Sequence, residues 1–450
     1  MTPPTTQVAG PGDRAGWAGH PRGLSTLFFT EMWERFSYYG MRALLILYMT
    51  APITANGLGF DTARAASIYG WYTFGVYAAA IPGGWVADRL LGQYRSVFWG
   101  GVIIALGHFS LAIAALPFFY LGLVLIVIGT GLLKPNVSTM VGSLYEENDA
   151  RRDAGFSIFY MGINIGAGVA PLVVGTLGQR VDWHVGFGAA GVGMVLGLIQ
   201  YVVGKKRLQP ALDRLGEGPG LAGRAVGPAG TVKPIGFTTV EWRRIAAIGV
   251  FFVAAILFWG AFEQAGSSLN LFADRMTRLT VLGWSFPSTW FQSLNSAFLI
   301  LLAPAFAWLW IRLGPREPSS PSKFTLGLFF VGLGFLLLVP AASQAQTGVL
   351  VSPLWLTGVY LLHTIGELCL SPVGLSVVTK LAPARIVGLM MGVWFLATAF
   401  GNKLGGWVAG FFDTLPLPML FGAVAGTAIV SALVLLILVR PVKKLMGGIH

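Results

Sequence analysis

Residues 24–49 read LSTLFFTEMWERFSYYGMRALLILYM. As a helix rising about 1.5 Å per residue, this stretch is long enough to cross a hydrocarbon core of about 30 Å. Its interior holds Glu31, Glu34, Arg35 and Arg42. On insertion scales each of these costs about 2.5–3.5 kcal/mol at the bilayer centre if it faces lipid. Together with Tyr38 they are spaced i, i+3, i+4, i+7 and i+11, which keeps them on one helix face. The helix therefore presents a charged face that must look onto a wet cavity or onto other charged helices.

Eleven further apolar runs follow, at 65–88, 96–116, 117–144, 154–179, 183–204, 242–273, 289–311, 324–341, 351–379, 385–408 and 417–440. Backbone polar groups find no water partner in lipid, so these runs are expected as helices. The period-two polarity of barrel strands is missing. The composition agrees. Of 450 residues, 55% are hydrophobic and only 11% are charged, too few charges to clothe a soluble fold of this size. Mean hydropathy is +0.71. A single cysteine, Cys369, excludes a disulfide framework and a multi-cysteine metal site. The five histidines form no HxxxH or HExxH pair.

Cationic residues orient the spans. With the N-terminus in the cytoplasm, 22 of the 30 Lys and Arg residues fall in cytoplasmic segments, 5 on the opposite side and 3 inside spans. This asymmetry predicts N-in, C-in topology. It also accounts for the net charge of +12 without nucleic acid. The organisation reads as a polar cytoplasmic N-terminus (1–23), a six-helix bundle (24–204), a Gly/Pro-rich basic cytoplasmic linker with little fixed structure (205–240), a second six-helix bundle (241–440) and a cytoplasmic C-terminus (441–450). Residues 1–23 lack the apolar core and cleavage site of a signal peptide, so the first span is expected to stay in the mature protein. Six plus six helices suggest two pseudo-symmetric bundles around a central cavity.

Seven ionisable residues sit well inside spans: Glu31, Glu34, Arg35, Arg42, Lys134, Glu263 and Glu367. Their formal sum is −1, so one proton would neutralise the set, which is a physical reason to expect proton coupling. Glu31 and Glu34 flank one guanidinium. They read either as an exchangeable proton site or as a fixed salt bridge. Lys134, before Pro135, either pairs with Glu367 or holds a substrate carboxylate. Glu263 is placed to pair Arg42 or Arg35. His363, four residues before Glu367, is a proton relay or a buried neutral histidine; His108 reads as structural. Asn164 and Asn295 serve interhelical hydrogen bonding or face the cavity. Tyr38, Tyr39, Tyr69 and Trp394 are candidates to line an amphipathic pocket.

Residues 84–95, GWVADRLLGQYR, resemble the loop motif of the major facilitator superfamily, whose Asp and Arg latch cytoplasmic helix ends. More specific is EMWERFSYYG at 31–40, which resembles the ExxERFxYYG signature of the proton-dependent oligopeptide transporter family. The stretches 159–166, 258–264, 366–374 and 391–395 are similar to other signatures of that family, so the resemblance spans roughly 24–440. It implies an all-α integral membrane protein of the major facilitator fold, with twelve transmembrane helices in two bundles. It also implies proton-driven import of di- and tripeptides in a bacterial cytoplasmic (inner) membrane by a monomer that is not an enzyme and has no cofactor beyond the coupling proton. Carried onto this chain, Arg35, Arg42 and Lys134 would hold the peptide carboxylate. Glu367, with Asn164 and Asn295, would take the ammonium. Glu31, Glu34 and Arg35, with Glu263 and Glu367, would serve proton coupling. Arg42–Glu263 would form an outer gate and Lys134–Glu367 an inner one. Tyr38, Tyr39, Tyr69, Ser371 and Trp394 would shape the substrate pocket.

Two departures from the family are visible. The linker is too short and polar for the extra helix pair of many bacterial members, and the second span lacks the histidine of animal members. A different anionic or zwitterionic solute, such as nitrate, a modified peptide or a drug, is the competing cargo. A membrane-embedded hydrolase would need a Ser/His, paired-Asp or metal constellation, which the spans do not offer.

Overall fold

The structure, a computed structural model, describes residues 16–146, 149–217, 236–383 and 386–448. The N-terminal bundle comprises α1 (Gly23–Thr50), α2 (Thr62–Ala78), α3 (Ala80–Val86), α4 (Gln93–Leu111), α5 (Leu116–Ser143), α6 (Arg152–Arg180) and α7 (Trp183–Val203). A short helix, α8 (Lys205–Arg214), follows. The C-terminal bundle comprises α9 (Thr239–Phe262), α10 (Ser268–Met276), α11 (Phe291–Leu313), α12 (Ser320–Ala345), α13 (Pro353–Leu381), α14 (Val387–Ala409) and α15 (Leu417–Met446). Among the described residues, eight spans are long and apolar enough to cross a bilayer by length and composition alone. Four more complete the twelve: α1 with its charges, the broken α2–α3, α4 and α14. Helix starts follow local chemistry. Asp61 and Asp182 cap α2 and α7 through their carboxylates, and Thr238 with Glu241 forms a reciprocal capping box on α9.

The second and seventh runs, expected as continuous helices, are broken. Beyond Ala78 the second continues as α3 and a π-helical turn at Ala87–Leu91, where Pro82, Gly83 and Gly84 weaken the ladder. The seventh passes through a 3-10 turn at Glu263–Gly266 before α10. A small hairpin pairs β1 (Thr280–Val281) with β2 (Trp284–Ser285), and Leu282 and Gly283 supply its positive φ angles.

The linker expectation needs correcting at its start. Residues 205–214 are helical, and this segment is fastened to the first bundle. Arg214 Nη1 donates to the Ser143 and Leu144 carbonyls at 3.0 and 2.9 Å. Glu217 accepts from the backbone N–H of Gln93 and Tyr94 at 2.5 and 3.1 Å, so its carboxylate sits on the orphan donors of the α4 N-terminus. The physical reason is an amphipathic helix that buries Leu208, Ala211 and Leu212 against the first bundle and leaves Arg214 and Glu217 beside helix ends. Residues 218–235 of the expected linker lie outside the described residues.

Within the first bundle α1 packs on α6 and α7, and α4 on α5. In the second, α12 packs on α13 and α15, and α9 on α14. The bundles meet along α2–α14 and α6–α11. Bonds joining them cluster at the extracytoplasmic side. Trp290 Nε1 donates to Thr176 Oγ1 at 2.8 Å, Arg180 to the Ser285 carbonyl at 2.6 Å, and Asn270 to the Ala43 carbonyl at 2.8 Å. Thr62 donates to Asp413, which also accepts from Arg275 at 3.1 Å.

Candidate functional site

A cavity of about 290 Å³ lies between the bundles, on the cytoplasmic side of these ties. Its first-bundle wall carries Glu31, Arg35, Tyr39, Arg42, Lys134 and Asn164. From the second bundle come Glu263, Asn295, Glu367, Ser371 and Trp394. Most of the sequence candidates thus converge on one space from opposite sides.

At the outer end, Arg42 Nη1 is ion-paired with Glu263 Oε2, and both side chains are buried. Arg42 lies eight residues before the end of α1, so the bond sits about 12 Å inside the helix terminus. Glu263 closes α9 in helical geometry, and the chain turns away from it through the 3-10 segment at Glu263–Gly266. Arg42 also stacks over Tyr39, with 4.9 Å from Cζ to the ring centre.

About two turns deeper, Arg35 serves two carboxylates. Its Nη2 donates to Glu34 Oε1 at 2.6 Å and its Nε is paired with Glu34 Oε2, while Glu31 Oε1 lies 3.3 Å from Nε. The two acids are not equivalent. Glu31 lines the cavity; Glu34 is fully buried behind Arg35 and does not reach it. Lys134 is not ion-paired to Glu367. Its Nζ sits 3.9 Å above the centre of the Tyr77 ring. Glu367 Oε2 instead accepts from Asn295 Nδ2 at 2.9 Å, and the same amide reaches Thr364 Oγ1 at 3.1 Å. Asn164 Nδ2 donates to the Tyr160 carbonyl at 2.9 Å, so its Oδ1 is the atom offered to a ligand donor. The Ser371 hydroxyl has no protein partner.

Two aromatic candidates fall elsewhere. Tyr38 is buried beneath the guanidinium of Arg35 and stacks on Tyr72 at 6.5 Å, behind the charged face. Tyr69 is buried in the seal between the bundles. A Cβ on Gly266 would fall 1.9 Å from the Tyr69 hydroxyl oxygen, so glycine is what admits the phenol there. Neither lines the cavity. Their positions on α1 and α2 gave no sign of which neighbour each would meet. In their place the cavity presents Tyr77, Tyr160, Trp259 and Tyr360. A phenol hydroxyl at mid-membrane depth, costly in lipid, was the sequence signal for the tyrosines. His363 lies at the cavity edge between Phe262 and Phe335, and His108 is buried without a partner.

A family model described as the POT family matches residues 94–211 and 237–423. The chain belongs to the POT family. It is 44% identical to the uncharacterised transporter YclF of Bacillus subtilis, over 96% of each chain. It is 39% identical to a di-/tripeptide transporter of Lactococcus lactis, over 96% of this chain and 98% of that one. Among solved structures, a peptide transporter POT crystallised with sulfate superposes with a TM-score of 0.87 at 42% identity, covering 97% of this chain and 98% of that one. The chain is thus a multi-pass membrane protein of a transporter family with the expected two-bundle helical architecture. The family match begins beyond α1, so the signature at 31–40 is additional to it.

Proposed function

We infer that the protein is a proton-coupled symporter that imports di- and tripeptides by alternating access. The observation that carries this reading is the polarity of the cavity. Arg35 and Lys134 stand on the first-bundle wall, and Glu367, held by Asn295, stands on the second. A peptide backbone is a zwitterion, and only a site with poles of both signs uses both of its ends. Arg35, Arg42 and Lys134 take the carboxylate; Glu367, with Asn164 and Asn295, takes the ammonium. Tyr39, Ser371 and Trp394 bound the side-chain space, which leaves specificity broad. A simple anion such as nitrate has no use for Glu367, so the peptide is favoured over the competing cargo.

Coupling follows from charges that cannot remain unbalanced in a dry interior. A proton on Glu31 removes one of the two carboxylate charges on Arg35, so the substrate carboxylate takes that place while Glu34 stays paired; loss of that proton restores the two acids. Arg42–Glu263 holds the outer side shut, and Lys134 pairs with Glu367 when the inner side closes, so the bundles rock between the two contacts. The protein works as a monomer, without a cofactor other than the coupling proton, in the cytoplasmic (inner) membrane of a bacterium. It moves its cargo without making or breaking covalent bonds.

The test is uptake of a labelled dipeptide into proteoliposomes, with and without an inward proton gradient. Accumulation driven by the gradient in the wild type, and lost in Glu367→Gln, is the expected result. No dipeptide flux under any gradient overturns the reading.

A further inference from the structure

A second, larger cavity of about 1010 Å³ opens at the cytoplasmic ends of α11, α12, α13 and α15. It is separate from the transport cavity, and its upper rim is basic. Lys323, Lys380, Arg440 and Lys443 line it against one acid, Glu317. Lys323 is tied to Glu317 and lies over the Trp310 ring at 4.6 Å. Lys380, Arg440 and Lys443 are exposed at the rim. Below the rim the lining turns apolar, through Trp310, Ala307, Phe306 and Ala303 of α11 and Val373 of α13. Ala303 lies ten residues before the end of α11, about 15 Å down the helix. That depth matches one leaflet of the hydrocarbon core. The cleft is also open sideways. The fully buried residues of α11, Phe291, Ser296 and Leu299, all lie in its first nine positions, so its cytoplasmic half stands away from the bundle.

We propose that this cleft binds an anionic phospholipid of the cytoplasmic leaflet, with the headgroup phosphate on the Lys380, Arg440 and Lys443 rim and an acyl chain between α11 and α13. Charge complementarity selects the anion, and a leaflet-deep apolar slot beneath it selects a lipid over a soluble phosphate. The position gives the lipid a lever. Leu368, Pro372, Val373 and Ser376 line this cleft from α13, and Glu367 and Ser371 on the same turns line the transport cavity. Pro372 lacks the N–H that would bond the Leu368 carbonyl, so α13 can bend there. An occupant behind this turn biases the helix that carries Glu367. The inference needs only a membrane-spanning chain in the stated orientation and stands apart from the peptide reading.

The experiment is native mass spectrometry of the full-length protein offered equal amounts of phosphatidylglycerol and phosphatidylcholine. Phosphatidylglycerol is expected to be retained preferentially, by about tenfold or more. Arg440→Gln/Lys443→Gln should abolish the preference, and Ala307→Trp should expel the lipid while leaving every cation in place. Unchanged thermal unfolding and unchanged dipeptide uptake in phosphatidylcholine vesicles show that both variants are folded. Equal retention of the two lipids, wild-type preference in either variant, or full displacement by equimolar inorganic phosphate overturns the proposal. Absence of dipeptide uptake in every form with lipid preference intact bears on the peptide reading alone.

Discussion

Gly70 of α2 and Gly406 of α14 meet backbone to backbone across the two bundles: a Cβ on Gly406 would fall 2.6 Å from the Gly70 Cα and 2.9 Å from the Ala66 carbonyl oxygen. Backbone cannot yield as a side-chain tip can, so even alanine at 406 must push the bundles apart. Overpacking of this kind costs about 1–3 kcal/mol, and each 1.4 kcal/mol shifts the closed and open populations about tenfold. In Gly406→Ala, the distance between spin labels at Asn56 and Val281, on extracytoplasmic loops of the two bundles, should lengthen. An unchanged distance distribution would show that the α2–α14 contact does not hold that side closed.

Arg42 and Glu263 are both buried and paired, so removing one leaves an uncompensated charge, which costs about 3–5 kcal/mol. Arg42→Gln or Glu263→Gln alone should lower dipeptide uptake more than tenfold. The double variant should recover part of that loss, because neither charge is then stranded. Strictly additive losses in uptake would place the two residues in separate roles.

Glu31 faces the cavity, whereas Glu34 is sealed behind Arg35. Glu31→Gln should therefore lose gradient-driven accumulation and keep dipeptide exchange between the two faces of the membrane. Glu34→Gln removes the bidentate partner of a buried guanidinium and should lower the thermal unfolding temperature by several degrees as well. Counterflow assays and melting curves on the two variants separate the outcomes. Undiminished accumulation in both would remove the pair from proton coupling.

His20, buried at the cytoplasmic end of the first bundle before α1, is hydrogen-bonded through Nδ1 to the Tyr145 hydroxyl at 2.9 Å, beside Arg151, which donates to the Gly19 carbonyl. Burial, with the Arg151 charge adding to it, lowers the His20 pKa below its ordinary 6.5. The folded state therefore binds fewer protons than the unfolded state, and stability rises with pH across this window. The contribution is complete above about pH 6.5 and declines as pH falls below it toward the lowered value. Hydrogen exchange at residues 16–22 should accelerate between pH 7.5 and 5.5, after correction for intrinsic rates. In His20→Gln that extra pH dependence should vanish.

The charged face of α1 was legible because ionisable residues inside an apolar run have few places to go, and i, i+3, i+4 spacing fixes their side. Twelve spans and their orientation followed from length and from the distribution of Lys and Arg. Partner choice was harder to read. Spacing placed Glu263 near Arg35 or Arg42, and only the three-dimensional placement of Glu263 against α1 showed that Arg42 is the partner. Lys134 lies over Tyr77 rather than on Glu367, a choice between two partners on different helices that no local pattern encodes. Tyr69 and Tyr38 were misplaced for a related reason. Every span here carries aromatics, and whether one faces cavity, seal or core depends on helix rotation. The helix at 205–214 was hidden by its low overall hydrophobicity, although Leu208, Ala211 and Leu212 at i, i+3 and i+4 form the apolar face that it buries against the first bundle.

The fastening of α8 onto α4 and α5 has a mechanical consequence. Had the connection between the bundles begun at the end of α7, a pull from the second bundle would have been felt there. With Glu217 seated on the first N–H groups of α4, that pull enters the first bundle at α4 instead. Just before that point, the π-helical turn at Ala87–Leu91 holds the acidic and basic groups Asp88 and Arg89. The first bundle's end of the covalent tether is thus anchored beside the turn that joins α3 to α4, and not at the end of α7.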